Sequence, residues 1–214
     1  IRLSLVGSEM CIRDRNIILQ RVASALTTLP VGAQGWQEVA SITIATTVAA
    51  GIGSVATGFV QPMEDFSPPS PTSWWRPLSA FVVPGLLEEL IWRAALLPTP
   101  TTPTTIAAML NLSTVAPQNL LLYQTAAAVL VVHVLSHPFC PQAIYPRGKE
   151  VFSDGRFLGL AAIVLGGTTL SYIVSGGSVW AAAITHGLPV VLWRDFFGGE
   201  EALQRGLKKA KKVL

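Results

Sequence analysis

Charged side chains are scarce in this sequence. Only 13% of its 214 residues are Asp, Glu, Lys or Arg, whereas 50% are apolar. The charges are clustered, so windows of about 20 mostly apolar residues recur, and about that length crosses the hydrocarbon core of a bilayer. The scarcity argues against an ordinary water-soluble domain and indicates a membrane protein.

Cysteine is scarcer still, because Cys11 and Cys140 are the only two. At most one bridge can form, which excludes a disulfide framework and a metal site built from several cysteines. The net charge of +3 is too small for a nucleic-acid surface, and the one basic cluster suits anionic lipid headgroups better. This cluster is the C-terminal tail with Arg205, Lys208, Lys209, Lys211 and Lys212. We therefore expect membrane lipids, and no nucleic acid, among the partners.

The motifs of several common enzyme classes are also absent. The sequence has no GxSxG, no HExxH, no phosphate-binding loop and no GxGxxG after a strand pattern. GxSxG carries the nucleophile of many hydrolases, and HExxH carries zinc ligands of many metalloproteases. The phosphate-binding loop and GxGxxG bind the phosphates of nucleotides. Any catalysis must therefore come from another arrangement of side chains.

Apolar segments of helix length divide the chain from residue 36 onward. We predict an all-α, polytopic membrane helix bundle with about five spanning helices and a short interfacial or re-entrant helix near 104–116. The spans are predicted at about 36–60, 78–97, 119–137, 157–175 and 178–197. The last two are joined by "SGG" and should form an antiparallel hairpin. Basic residues place the loop 138–156 and the C-terminal tail on the cytoplasmic side or its topological equivalent.

The first fifteen residues, "IRLSLVGSEMCIRDR", differ in character from the rest. They resemble a translated library-adaptor stretch, so we predict that 1–15 are non-native or disordered and that the sequence is a fragment. Residues 16–77 are predicted to hold an N-terminal membrane helix and a Pro-rich loop. Residues 78–197 are the predicted membrane core, and 198–214 the basic tail.

Three ionisable residues lie in the middle of the apolar run "FVVPGLLEELIWRAALLPTP". A charge at the centre of a spanning helix costs several kcal/mol even on the gentler insertion scales, on the order of 3 kcal/mol per residue. Glu89 and Arg93 are four residues apart, so they can pair across one helical turn. Glu88 points about 100° away from Glu89, and the only basic residue near its own turn is Arg93, five positions later. The sequence therefore leaves Glu88 without an obvious partner.

The histidines of the chain, His133, His137 and His186, all lie in apolar segments. Intramembrane ionisable groups are candidates for a functional site. A Glu in an apolar pocket can act as general base for water, and an imidazole can position that water or stabilise an oxyanion. The combination is suited to amide hydrolysis without a nucleophilic serine.

These residues resemble the CPBP intramembrane proteases, also called the CAAX protease and bacteriocin-processing or Abi family. "EELIWR" matches the EExxxR signature of that family. Its second motif is a Phe four residues before a His, and here His137 is preceded by His133 in the Phe position. Its last motif is a His with Asn or Asp four residues later, and here His186 is followed by Val190. The resemblance covers about residues 78–197.

The resemblance implies a role for each matching residue. Glu88 is implied to be the water-activating base, and Glu89 with Arg93 the supporting pair. His137 and His186 are implied to position water or to stabilise an oxyanion. The implied function is intramembrane hydrolysis of a peptide bond in a membrane-associated protein or peptide.

Other residues are left without an implied role. We expect His133 to be a polar lining residue, and Trp92 and Trp193 to pack or to face lipid. Val190 in the Asn position leaves an alternative function open, namely a catalytically silent membrane scaffold or immunity-type protein with the same fold. The "SHPF" sequence around His137 resembles the branch of photosynthetic organisms, which indicates a multi-pass protein of a plastid or thylakoid membrane.

We expect no metal cofactor, because HExxH is absent and the resemblance implies a glutamate-dependent reaction. The alternative is a zinc site, since carboxylate and imidazole are ordinary zinc ligands. Its ligands would be Glu88, His133, His137 and His186.

Overall fold

The protein is described by a computed structural model that covers residues 2–68, 73, 75–100, 117–139, 145 and 147–206. Within these residues the chain is helical and contains no β-strand. Three of the helices are long and apolar enough to cross a membrane. The predicted all-α membrane helix bundle is confirmed for this part of the chain.

The helices are numbered in chain order. The first three are α1 (Arg2–Thr27), α2 (Gly32–Ala56) and α3 (Pro62–Asp65). A composite helical segment follows, with α4 (Trp75–Ala80), a π-helical turn (Phe81–Leu86), α5 (Leu87–Glu89) and a second π-helical turn (Leu90–Ala95). Next are α6 (Pro117–Ser136), a 3₁₀ turn (His137–Phe139), α7 (Gly148–Phe152) and α8 (Gly155–Val174). The last are α9 (Val179–Val191), a π-helical turn (Leu192–Phe196) and α10 (Gly199–Arg205).

The candidate membrane spans are Gly32–Ala56, Leu120–Phe139 and Gly155–Val174. They agree with the predicted spans at 36–60, 119–137 and 157–175. The other two predicted spans are helical but not regular. The segment predicted at 78–97 is interrupted at Val83, which has the extended dihedrals φ −133° and ψ 103°, next to Pro84. The segment predicted at 178–197 contains Pro189 and changes to π-helical geometry at Leu192. Proline has no amide N–H to donate, so one helical hydrogen bond is missing at each of these two prolines.

The hairpin predicted from "SGG" is present, since α8 and α9 pack against each other. Gly176 and Gly177 have φ values of 74° and 97°, which favour glycine. Ser178 then caps α9 by accepting a hydrogen bond from the amide of Ala181. At the other end of α8, Asp154 is the N-cap, and its hydrogen bond with the Arg156 side chain lowers the pKa of that carboxyl. The start of α8 and the turn that leads into α9 are thus each fixed by a local cap.

Two glycines bring the composite segment close to α9. A Cβ placed on Gly85 would lie 3.3 Å from the Cα of Gly187. A Cβ placed on Gly187 would lie 2.8 Å from the Phe81 ring, closer than real contacts allow. Small residues let membrane helices approach in this way. Gly85 precedes Glu88 by three residues, and Gly187 directly follows His186. The close contact between the two glycines therefore helps to set the distance between Glu88 and His186.

The predicted division of the chain into segments, and the prediction that residues 1–15 are non-native or disordered, stay predictions. Residues 2–15 form the first half of α1, and helix formation does not decide whether they are native. The boundaries at 77 and 197 are likewise untested. The helix predicted near 104–116, and the lysines of the C-terminal tail, lie outside the described residues.

Large apolar side chains remain exposed along the outer faces of α2 and α6. Examples are Ile44 (61%), Ile52 (66%), Leu121 (62%) and Val132 (56%). Apolar surface of this extent in a helix long enough to span a bilayer is typical of contact with lipid. The chain is therefore an integral membrane protein.

We expect the protein to stay in the membrane pellet during alkaline carbonate extraction, because helices satisfy their own backbone hydrogen bonds within lipid. Detergent should solubilise it. The measurement is its distribution between pellet and supernatant, with a peripheral membrane protein as control. Release by carbonate without detergent would contradict the fold assignment.

Candidate functional site

The composite segment places an ion pair in the interior of the bundle. Glu89 lies on α5 and Arg93 on the following π-helical turn, and both are 0% exposed. Nε of Arg93 lies 3.2 Å from Oε2 of Glu89. Nη1 of Arg93 donates a hydrogen bond to Oε1 of Glu89 over 3.3 Å. The pair predicted from the four-residue spacing is therefore present.

Helix α8 supplies further partners for Arg93. Its Nη2 donates to the carbonyl of Leu165 at 2.9 Å and to Oγ1 of Thr169 at 3.2 Å. Nε of Arg93 and Oε2 of Glu89 are the two buried side-chain atoms without a hydrogen bond among the described residues. These two atoms are within ion-pair distance but are not aligned for a hydrogen bond. The guanidinium is thus held by an ion pair and a hydrogen bond with Glu89 and by hydrogen bonds to α8.

Glu88 also has a partner, contrary to the sequence-based expectation. Its Oε2 lies 3.0 Å from Nε2 of His133 on α6. Nδ1 of the same ring lies 2.8 Å from Nη1 of Arg93. His133 is 1% exposed and does not line the cavity described below, so its expected role as a lining residue is wrong. The spacing of residues along one helix gives no information on contacts made by a neighbouring helix.

The hydrogen bond from Arg93 determines the protonation of His133. A guanidinium has only donors, so Nδ1 of His133 must accept. The ring is then neutral with its proton on Nε2, and that N–H donates to Glu88. Trp92 stacks on the ring, with centroids 4.4 Å apart and planes 13° from parallel. The expectation that Trp92 packs is confirmed.

The other two histidines donate through Nδ1. Nδ1 of His137 lies 3.0 Å from the carbonyl oxygen of His133 and 3.2 Å from that of Val134. Nδ1 of His186 lies 2.7 Å from Oε1 of Glu89, a carboxylate already paired with a guanidinium. Carbonyl and carboxylate oxygens accept, so both Nδ1 atoms carry protons. Each ring, when neutral, therefore keeps an unprotonated Nε2.

Glu88, His137 and His186 line one cavity of about 700 Å³. Most of the remaining lining is apolar, including Val190 in the Asn position of the implied motif. The ligating atoms of Glu88 and His137 lie within 4.8 Å of each other, and 29% of the Glu88 side chain is exposed. Glu89 does not line this cavity. Of the residues that the resemblance singles out, Glu88, His137 and His186 thus line the cavity, whereas Glu89 and Arg93 are buried beside it.

The four proposed zinc ligands do not come together as one set. Among the described residues, the group of three with ligating atoms within 4.8 Å of one another is Glu88, His133 and His137. His186 is outside it. Nε2 of His133 carries the proton that it donates to Glu88, so this nitrogen has no lone pair for a metal. A catalytic zinc ion usually has three protein ligands, and this arrangement does not fit such a site.

Sequence reasoning missed two features of the site. One is that α8 accepts hydrogen bonds from Arg93 at Leu165 and Thr169. The only sign of this in the sequence is a threonine within an apolar run. That signal is weak because the Thr169 hydroxyl also donates to the Leu165 carbonyl of its own helix. The other is a charged pair inside the predicted last span, in which Nε of Arg194 donates to Oδ1 of Asp195 at 3.2 Å. Arg194 also lines the cavity and donates to Ser79 at 3.1 Å.

Comparison with known proteins gives one match. A family model described as type II CAAX prenyl endopeptidase Rce1-like matches residues 70–192, more than half of the 214 residues. The matched range is close to the 78–197 of the predicted membrane core and includes the three cavity-lining residues Glu88, His137 and His186. Searches of curated proteins and of solved structures found no match.

Removal of the Arg93 guanidinium should destabilise the fold. Arg93→Ala leaves Glu89 buried without its charge partner, and breaking a buried ion pair from one side costs about 3–5 kcal/mol. We expect a lower folded yield in detergent and a lower temperature of unfolding. Size-exclusion chromatography and thermal unfolding in detergent measure both.

Arg156→Ala is the matched control, because Arg156 pairs with Asp154 with 37% of its side chain exposed. Exposed pairs contribute about 0–1 kcal/mol, so this variant should unfold close to the parent. Equal stability of Arg93→Ala and the parent would show that the buried pair does not hold the fold together.

Proposed function

The chain belongs to the type II CAAX prenyl endopeptidase Rce1-like family, and from this premise we propose that it hydrolyses a peptide bond of a membrane-associated protein or peptide through a water molecule activated by Glu88. The family is one of membrane proteases. The observation that carries the proposal is the shared cavity of Glu88, His137 and His186. The substrate partner would be a CAAX-type peptide end presented at or within the bilayer, together with membrane lipids.

The protonation of the site favours Glu88 as the base. Its Oε2 accepts the N–H of His133, which suits an ionised carboxylate. In the proposed step, water adds to the peptide carbonyl carbon while its proton passes to Glu88. The carbon–nitrogen bond of the tetrahedral intermediate then breaks, and Glu88 returns the proton to the departing amine. Acid–base catalysis by one positioned group contributes roughly 10²- to 10⁴-fold.

The two cavity-lining histidines suit the positioning of that water. A neutral ring whose Nδ1–H is engaged offers Nε2 as an acceptor, and water can donate to it. His137 and His186 are both held in this way by hydrogen bonds at Nδ1. The water-positioning role is therefore better supported than direct donation to an oxyanion, which needs a protonated Nε2.

We propose that the reaction needs no metal ion. Among the described residues, the three that lie close enough together to bind one are Glu88, His133 and His137. His133 carries a proton on Nε2, so it has no lone pair there to offer a metal. Residence in a plastid or thylakoid membrane rests on the "SHPF" sequence alone and is part of the proposal. Prenylation of the substrate is likewise proposed from the family description.

A second function is favoured by one residue. Val190 lines the cavity at the position where the resemblance implies Asn, so a polar contact to water or oxyanion would be missing. A protein with the same fold but without catalysis, acting as a scaffold or an immunity-type protein, is the alternative. The experiments below separate the two.

Replacement of Glu88 by Gln should abolish cleavage. Gln keeps the shape of the side chain but cannot take a proton from water. The measurement is cleavage of a farnesylated C-a-a-X peptide, labelled with a fluorophore and quencher, by purified protein in lipid nanodiscs. Glu201→Gln, which changes an exposed residue of α10, is the control and should cleave like the parent. A parental rate for Glu88→Gln would refute its role as the base.

Loss of either cavity histidine should slow the same reaction. His137→Ala and His186→Ala should each lower kcat by at least about 10²-fold, the usual effect of a lost acid–base or electrostatic contribution. Chelator treatment of the parent should leave the rate unchanged. Inhibition by a chelator that zinc reverses would contradict the metal-free reaction.

Introduction of Asn at position 190 tests the alternative function. If the chain is an enzyme with one polar contact missing, Val190→Asn should raise kcat, by up to about 10²-fold if the amide reaches the oxyanion. Val190→Leu, which keeps the position apolar, is the matched control and should not raise it. Absence of cleavage by the parent and by Val190→Asn alike would favour the silent scaffold.

A further inference from the structure

His133 lies between two charged side chains without reaching the cavity. Nδ1 is 2.8 Å from Nη1 of Arg93, and Nε2 is 3.0 Å from Oε2 of Glu88. The ring is 1% exposed. It joins the buried ion pair on one side to the proposed base on the other.

The direction of both hydrogen bonds follows from the chemistry of arginine. A guanidinium cannot accept, so Nδ1 of His133 is the acceptor and Nε2 keeps the proton. If the ring carried a proton on both nitrogens, the N–H at Nδ1 of His133 would point at the N–H of Arg93, and neither group could accept. Arg93 is fixed in turn by Leu165 and Thr169 of α8. The protonation of His133 is thus set by a residue that is itself held by Glu89 and by two groups of α8.

The plane of the ring is also fixed. Trp92 stacks on it at a centroid distance of 4.4 Å, and the ring of His137 lies 5.4 Å away at 20° from parallel. A ring that is buried, stacked and bonded through both nitrogens cannot turn without losing several contacts. The N–H that it presents to Glu88 therefore has one direction.

We propose that His133 is a positioning residue that orients the carboxylate of Glu88 for catalysis. It accepts a hydrogen bond from Arg93 and donates one to Oε2 of Glu88, which leaves Oε1 to take the proton of the attacking water. Misplacement of a reacting group by about 1 Å can lower a rate by about 10²-fold. The catalytic consequence rests on the proposed function, whereas the protonation of the ring does not.

The protonation can be measured without any assay of activity. The chain has three histidines, so ¹⁵N-histidine labelling gives a spectrum of three rings in lipid bilayers by solid-state NMR. We expect one ring with an unprotonated Nδ1 and a protonated Nε2, and Nδ1 protonated in the other two. The absence of a ring protonated at Nε2 alone would overturn the inference.

Two substitutions separate positioning from packing. Gln can accept from Arg93 with its oxygen and donate to Glu88 with its amide, but it lacks the ring that stacks on Trp92. Phe keeps the ring and makes neither hydrogen bond. We expect His133→Phe to lower kcat by about 10²-fold with KM within about twofold of the parent, and His133→Gln to be at least tenfold faster than His133→Phe.

A role in packing alone predicts the opposite order, so a Phe variant as fast as the Gln variant or faster would overturn the inference. The folded fraction of each variant is measured by size-exclusion chromatography, and rates are expressed per folded molecule. If a variant does not fold, the NMR experiment on the parent still decides. Loss of cleavage in Glu88→Gln together with a parental rate in His133→Phe would refute the inference about His133 and leave the proposed function intact.

Discussion

The buried pair of Glu89 and Arg93 is the interaction on which the rest of the site depends. Two charges in the interior of a membrane bundle are costly unless they offset each other and most of their other hydrogen-bonding atoms find partners. These requirements bring four elements together. Through its guanidinium, Arg93 contacts the composite segment, α6 at His133 and α8 at Leu165. Through its carboxylate, Glu89 contacts α9 at His186.

The same pair sets hydrogen bonds that reach the cavity. Because Arg93 can only donate, His133 becomes a donor toward Glu88. Because a carboxyl oxygen of Glu89 accepts from Nδ1 of His186, that ring keeps Nε2 unprotonated when it is neutral. The ion pair lies outside the cavity, yet it constrains the hydrogen bonds of two residues inside it, Glu88 through His133 and His186 directly. The proposed activation of water by Glu88, with His137 and His186 as acceptors, is consistent with this assignment.

The sequence predicted the parts of the site that depend on spacing within one helix. The four-residue interval between Glu89 and Arg93 predicted their pair, and the apolar surroundings of His137 and His186 indicated a site. It could not predict that His133 contacts Glu88, because distances between helices depend on lateral packing that a one-dimensional pattern does not record. Pro84 and Pro189 are visible in the sequence, yet the uniform hydropathy suggests regular spans. In the structure the first of these segments is kinked at Val83 and the second changes to π-helical geometry at Leu192.

The most direct test of the account is a crystal structure of the protein grown in lipid, at a resolution that shows ordered water. Anomalous scattering is recorded from the same crystals at the zinc absorption edge. The account predicts a water molecule within hydrogen-bond distance, about 2.7–3.2 Å, of Glu88 and of Nε2 of His137 or His186, and no anomalous peak. An anomalous peak about 2.0–2.2 Å from Glu88 and the imidazole nitrogens would contradict it. So would a Glu88 side chain that points into lipid.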